Sequence, residues 1–249
     1  MLYMFPKDRG DFLYSAQLQA YIDQNPFYKL SDAITEILQE DIISIKTKPG
    51  TKMNINKIAE DMGVSRTPVI EALTKLMDIG FIDKGKTANG YYVSGLDMRD
   101  MLNLYAARAA IESEAAYCCA KYADSQLIKA LEQQLPGFER TLLNKDPAIK
   151  DYDLPFHKII VDGSRNKYLI DCYRHMYPNL RRYQHYSSEF LLSTEDNPYT
   201  EEIRYQHVMI VEAVKAHSPI SARDAMQTHI TACMNYAAYS YVGSDPFRF

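Results

Sequence analysis

Glycine is scarce in this chain, ten residues in 249, and helix formers are plentiful, so a mostly helical fold is expected. Cysteine is scarcer. Cys118, Cys119, Cys172 and Cys233 show no C-x-x-C spacing, and two adjacent thiols do not readily bridge each other. That is the usage of a reducing cytosol, with thiols serving as small core residues; a metal or redox role for them is the less favoured reading. No apolar run is long enough to span a bilayer, which leaves no membrane partner to expect. Lys7, Asp8, Arg9 and Asp11 interrupt the early apolar stretch, so no signal peptide is expected and the location is read as cytoplasmic. An excess of positive charge is also missing. With 28 Lys and Arg against 32 Asp and Glu, the net charge of -4 excludes a generally basic nucleic-acid coat. It does not exclude a DNA reader, whose charge need only be local. Otherwise 47% hydrophobic and 24% charged residues describe an ordinary globular protein of one large or two modest domains.

What is present is concentrated in the stretch from Met53 to Phe81, which reads as two helices around a turn. Ile58, Ala59 and Met62 make one apolar face of a short helix that Asn54 can cap. Gly63 stops it, because glycine takes a left-handed backbone without strain, and Val64 plugs the corner. Ser65 is read as the cap of a second helix, with Pro68 in its first turn and Val69, Ala72, Leu73 and Leu76 as its buried stripe. Arg66, Thr67, Ile70, Thr74 and Lys75 are left outside. A guanidinium, a hydroxyl and the positive end of a helix dipole suit phosphate and the edge of guanine. The bland alternative is the solvated face of an ordinary helix pair.

The literal string Val-Ser-Arg-Thr-Pro-Val, followed by Glu-Ala-Leu, resembles the recognition helix of the GntR family of bacterial transcription regulators. The resemblance implies DNA contacts from Asn56, Lys57, Ser65, Arg66, Thr67, Ile70, Thr74 and Lys75. It also shows two departures: Ile70 stands where the family carries a DNA-contacting arginine, and Asn56 where many relatives carry a basic residue, with Lys57 beside it as partial compensation.

Residues 1–28 precede this domain, and Phe12, Leu13, Leu18, Tyr21 and Ile22 suggest a short amphipathic helix before Pro26. It could dock on the DNA-binding domain, dock on a partner subunit, or form a partly ordered arm. The domain itself is read over 29–96. Leu30 to Ile43 is a helix with Ser31 as its cap; Pro49-Gly50 turns the chain; Phe81-Ile82 and Tyr91-Tyr92-Val93 are two strands. The loop between them carries Lys86, Asn89 and Gly90, the wing of a winged helix-turn-helix, with Lys86 as a phosphate contact. Ser94 to Asp97 is the hinge. From 97 to 241 the period is helical and predicts an all-α bundle of six or seven helices, the second interrupted at Pro136-Gly137, with 242–249 as a tail.

Asp153 and His157 are four apart and share a helix face, where a carboxylate and an imidazole can chelate one cation. His207 and His229 lie on two further helices at inward positions. Four such ligands suit a divalent ion, zinc first, with nickel, manganese or iron as alternatives. Taken singly, each histidine is more often a hydrogen-bonded core or surface residue, and His175, His185 and His217 are left in that class. The segments Asp-Leu-Pro-Phe-His-Lys, Gln-His-Val-Met-Ile-Val-Glu-Ala-Val and Met-Gln-Thr-His-Ile resemble the FCD domain, the ligand-binding domain of the FadR-like branch of that family. The resemblance implies that Asp153, His157, His207 and His229 hold a metal at the floor of a cavity for a small carboxylate effector. Arg108 and Glu112 match the Arg and Glu of the family's first domain helix; Arg108, Arg181 and Arg182 are candidates for a carboxylate clamp, and Tyr105, Tyr183 or Tyr186 for hydroxyl contacts. The expected protein is a homodimeric, metabolite-responsive repressor on a pseudo-palindromic operator. Two rivals remain at this point. One is a metal-dependent enzyme using the Asp and three His, although no general-base motif stands beside them. The other is a winged domain that serves only protein contacts, with Ile70 as its sign.

Overall fold

The computed structural model describes residues 11–24, 27–85, 90–146, 150–193 and 199–243. The chain divides into two compact units between Gly95 and Leu96.

In the first unit the helix pair forms where its punctuation is placed. The Asn54 side chain accepts from the backbone N–H of Asn56 and Lys57 and starts α3 (Ile55–Met62). Gly63 ends it at φ 67°, where any other residue would carry strain. Val69, Ala72, Leu73 and Leu76 are buried on α4 (Arg66–Asp78). They pack against Ala33, Ile34, Ile37, Leu38 and Ile42 of α2 (Leu30–Ile43) in one core with Ala59, Met62 and Phe81. Ahead of them, α1 (Asp11–Gln24) belongs to this unit. Leu18 is buried in the same core, and the Tyr14 hydroxyl donates to Asp41, whose other oxygen takes Lys46 Nζ at 3.0 Å. Of the three fates the sequence left open for this segment, docking on its own domain is the observed one.

The unit closes with a three-stranded antiparallel sheet in the order β1 (Lys52–Met53), β3 (Tyr91–Val93), β2 (Ile82–Lys84). Met53 pairs with Tyr91 and Ile82 with Val93. The two-residue β1 was not expected, because two residues carry no readable period. Two caps differ from expectation. Lys29, not Ser31, is the N-cap of α2, and Ser31 is buried in the first turn. Ser65 does occupy the N-cap position of α4, but its side chain makes no capping bond.

The second unit is helical throughout its described residues: α5 (Met98–Tyr122), α6 (Ser125–Leu143), α7 (Lys150–Gly163), α8 (Lys167–Ser193), α9 (Tyr199–Lys215) and α10 (Pro219–Gly243). α5 runs against α10, α7 and α8, while α9 packs on α10, α5 and α6. The expected interruption at Pro136-Gly137 is overturned, since α6 continues through both residues. Gly137 faces the ring of Tyr152, and a Cβ there would stand 2.0 Å from a ring carbon, so the bare glycine sets how closely α6 and α7 approach.

Candidate metal centre and DNA-reading helix

α7, α9 and α10 each bring one or two donors to a common point. Asp153 and His157 come from successive turns of α7, His207 from α9 and His229 from α10, and one ligand atom from each lies within 4.8 Å of all the others. Asp153 Oδ1 is 3.3 Å from His207 Nε2 and 3.8 Å from His157 Nε2, and His157 Nε2 is 3.2 Å from His229 Nε2. All three histidines are buried.

The far nitrogen of each ring determines its tautomer. His157 Nδ1 is 2.5 Å from Glu112 Oε2, His207 Nδ1 is 2.9 Å from the Ile203 carbonyl, and His229 Nδ1 is 3.1 Å from Gln206 Oε1. Gln206 Nε2 in turn donates to Glu202, which keeps Oε1 toward the ring. Each Nδ1 therefore faces an acceptor and carries the proton, leaving three Nε2 lone pairs and one carboxylate oxygen converging. Two facing lone pairs 3.2 Å apart repel unless a proton or a cation lies between them. His207 Nε2 is buried with no hydrogen-bond partner. Three neutral imidazoles and a carboxylate of this kind fit a divalent transition ion, zinc above all.

For His229 and His157 the electrostatics agree with that protonation. Burial pushes His229 well below the usual histidine value, with the neighbouring histidines adding to the push. Burial also lowers His157, although Glu112 opposes it. Burial alone would raise Asp153, but its contacts with His207 and His157 and the nearby Arg108 guanidinium outweigh it and hold the carboxyl low. Glu112 is likewise held low against burial, by Arg108 first and His157 second. Arg108 and Glu112, one turn apart on α5, are paired Nε to Oε1 at 2.7 Å.

Beside the cluster opens a small pocket, about 60 Å³ in cavity volume, and its lining includes Tyr105, Arg108, Asp153 and Gln184. Of the residues expected to hold an effector, Arg108 and Tyr105 reach this wall. Glu112 lies behind it, bonded to Arg108 and His157. Arg181 is half-buried on α8 and is not among the lining residues, nor is the buried Arg182. Tyr183 donates to Asp100 and to the Asp97 carbonyl instead. Sequence reasoning missed Gln184, whose Nε2 donates to Asp153 Oδ2, and Gln206. Each approaches from a different helix than the residue it serves, so no spacing signals it. His175 and His217 stay outside the cluster, bonded to the backbone carbonyls of Asp171 and Ala120.

In the other unit, Ser65, Arg66 and Thr67 are exposed around the first turn of α4, and Ile70 is 36% exposed on the same helix. Thr74 is exposed, with its hydroxyl turned back to the Ile70 carbonyl at 2.8 Å. Lys75 departs from expectation: its ammonium is bonded to Asp32 and, at 3.0 Å, to Ser31 Oγ, so its charge is taken up by α2. Asn56 and Lys57 are exposed on α3. Gly85 N–H donates to the Gly90 carbonyl at 2.9 Å, closing the base of the wing. Lys86 and Asn89 lie outside the described residues.

Residues 30–85 match the model of the bacterial regulatory proteins of the gntR family, and residues 103–232 match the FCD domain, more than half the chain. The chain belongs to the GntR family, with a C-terminal FCD domain. This GntR-family protein is 28% identical over 201 residues to the HTH-type transcriptional regulator YdhC of Bacillus subtilis (strain 168), covering 80% of this chain and 85% of that one. It is 26% identical over 210 residues to the HTH-type transcriptional repressor RspR of Escherichia coli (strain K12), covering 83% and 88%. Its fold is that of the E. coli McbR/YncC structure, with a TM-score of 0.70 at 18% identity over 86% of this chain and all of that one. The GntR regulator is thus a DNA-binding transcription regulator whose second domain is an effector-binding one. Its relatives are transcription regulators rather than enzymes, which sets aside the metalloenzyme reading. No helix among the described residues is long and apolar enough to cross a membrane.

Proposed function

We propose that this regulator is a homodimeric repressor that holds a divalent ion, zinc by preference, on Asp153, His157, His207 and His229, and that a small carboxylate in the adjoining pocket controls its grip on a pseudo-palindromic operator. The observation that carries the reading is the convergence of three Nε2 atoms and one carboxylate oxygen, with every Nδ1 facing an acceptor. When bound, the ion supplies a Lewis-acidic anchor for an oxygen ligand. The chain supplies the rest. Glu112 holds His157 in its ligating tautomer, Gln184 orients Asp153, and Arg108 presents a guanidinium on the pocket wall. Arg66 and Thr67, at the positive end of α4, suit phosphate and base edges, with Ser65 beside them and Asn56, Lys57, Ile70 and Thr74 on the neighbouring surface. Repression is supported by the name of the E. coli relative. An effector that binds two dimer geometries unequally shifts the spacing between the two reading heads.

The test is elemental analysis of purified protein followed by operator titration with and without metal. About one ion per chain is expected, together with operator affinity that an added carboxylate lowers only when metal is present. Metal-free protein that refuses added zinc would remove the ion from the reading; specific operator binding without it would leave the DNA reading intact.

A further inference from the structure

The four donors do not exhaust the metal-ligating chemistry around their meeting point. Cys233 follows His229 by four residues on α10, the same one-turn spacing that puts Asp153 and His157 on one face of α7. Its Sγ lies 3.6 Å from His229 Nε2 and 3.9 Å from Nδ1, alongside the ring. Cys233 shares the pocket lining with Asp153, so the thiol stands on the open side of the cluster, whereas the three rings are buried. The other thiols are placed differently: Cys118 faces Glu114, Cys119 is buried and Cys172 is exposed. Spacing among the cysteines does not single out Cys233; its spacing to a histidine does.

Two further observations bear on what the thiol is for. His207 Nε2 is buried without a partner, and the Nε2 atoms of His157 and His229 face each other at 3.2 Å, so the meeting point calls for a cation. A divalent ion brings two positive charges, and Asp153 cancels one of them. Glu112 does not cancel the other, because it is already paired with Arg108. One positive charge is thus left in a buried centre, where uncompensated charge is costly. A thiolate at Cys233 removes it. Three imidazoles and one carboxylate fill four positions, and zinc accepts a fifth. One rotatable bond, Cα–Cβ, separates the present position of Sγ from the lone-pair side of His229 Nε2.

We infer that Cys233 is a fifth donor to the ion, and that its sulfur makes the site prefer the thiophilic metals zinc, cobalt and cadmium over manganese. The inference rests on the metal reading above and adds a ligand and a selectivity to it. As the metal–sulfur bond forms, the thiol proton passes to solvent through the pocket, and no electron is transferred. Soft thiolate favours soft and borderline ions, whereas a carboxylate alone among the anionic donors leaves manganese better able to compete.

Titration of the metal-free full chain with cobalt(II), followed by absorption, tests it. Wild type is expected to bind cobalt and to develop the intense near-ultraviolet band of charge transfer from thiolate to cobalt. Cys233→Ser, checked for folding by its melting curve, should still bind cobalt through nitrogen and oxygen but lose that band, and with it most of the preference for cadmium over manganese. Alkylation of wild type by iodoacetamide, mapped by mass spectrometry, is a second measure that needs no variant: cobalt should shield Cys233 and leave Cys172 as reactive as before. Cobalt bound without the band, a band undiminished in Cys233→Ser, or Cys233 alkylated equally fast with and without cobalt overturns the inference and leaves the four-donor site standing. A chain that takes up neither cobalt nor zinc removes the site itself, and the inference with it.

Discussion

Glu112 Oε2 lies 2.5 Å from His157 Nδ1, and both side chains are wholly buried. One carboxylate thus serves two masters, since its other oxygen holds Arg108. Glu112→Gln is expected to weaken zinc affinity by about 10- to 100-fold, the usual effect of removing a partner that orients a ligating imidazole. It should also destabilise the helical unit by about 3–5 kcal/mol, because Arg108 is left as an unpaired buried charge. Competition with a chromogenic chelator measures the first effect and denaturant titration the second. Unchanged zinc affinity would remove Glu112 from the site.

Chelation should loosen the fold. Donors drawn from α7, α9 and α10 would be tied together by a shared ion, which would favour the folded state alone. At a free zinc concentration about a thousand times the Kd, the stabilisation is about 4 kcal/mol. The melting temperature of zinc-loaded wild type should fall on adding chelator, whereas that of His229→Ala should scarcely respond.

Acid should destabilise the zinc-free protein well before carboxylates protonate. Burial lowers His157 and His229 below the ordinary value of 6.5, so below about pH 6.5 the unfolded chain binds protons that the folded chain refuses. Stability is then lost as pH falls from about 6.5 toward the depressed folded values, at up to about 1.4 kcal/mol per pH unit for each histidine. Asp153 and Glu112, whose carboxyls are held low, add their loss only below about pH 4. Urea midpoints measured from pH 7.5 to 5.5 should decline through this window. A flat profile would contradict the neutral burial of both rings.

Two positions on α4 should behave oppositely. Arg66→Ala is expected to cost about 1–3 kcal/mol of operator affinity, as for the loss of one base or phosphate contact. Lys75→Ala should change affinity less, because that charge is already paired with Asp32. Its loss should cost only about 0–1 kcal/mol of stability, since both partners are more than a third exposed. Ile70→Arg should raise non-specific affinity and steepen the salt slope by about one phosphate. Fluorescence titrations at several salt concentrations separate the three.

Gly137→Ala weighs two effects of known sign. Alanine gains about 1 kcal/mol of helix propensity over glycine. Against it, the new methyl meets the Tyr152 ring at 2.0 Å, and Tyr152 is also bonded to Arg140. Overpacking of that kind costs about 1–3 kcal/mol, so a net loss is expected by thermal melting.

Local chemistry made part of this molecule legible. Asn54, Gly63 and the stripe Val69, Ala72, Leu73 and Leu76 act within one or two turns of themselves, and the helix pair forms where they stand. The Asp153 and His157 pair was legible for the same reason, one turn on one face. What escaped is set by contacts across helices. Lys75 finds Asp32 and Ser31 on α2, Gln184 reaches Asp153 from α8, and Gly137 of α6 faces Tyr152 of α7. Periodicity reports which face is buried, never which residue on another helix meets it.

Asp153 differs from the other three donors in one respect. Its side chain is 13% exposed and borders the pocket, whereas the histidines are at 0–1%. On the proposed reading, an ion would reach or leave the cluster past Asp153, by the same doorway that the effector would occupy. A bound acid would then stand in the exit, and the lifetime of the ion on the protein would lengthen for as long as the metabolite stays. The regulator would retain its metal best when the metabolite is abundant and surrender it fastest when the metabolite runs out.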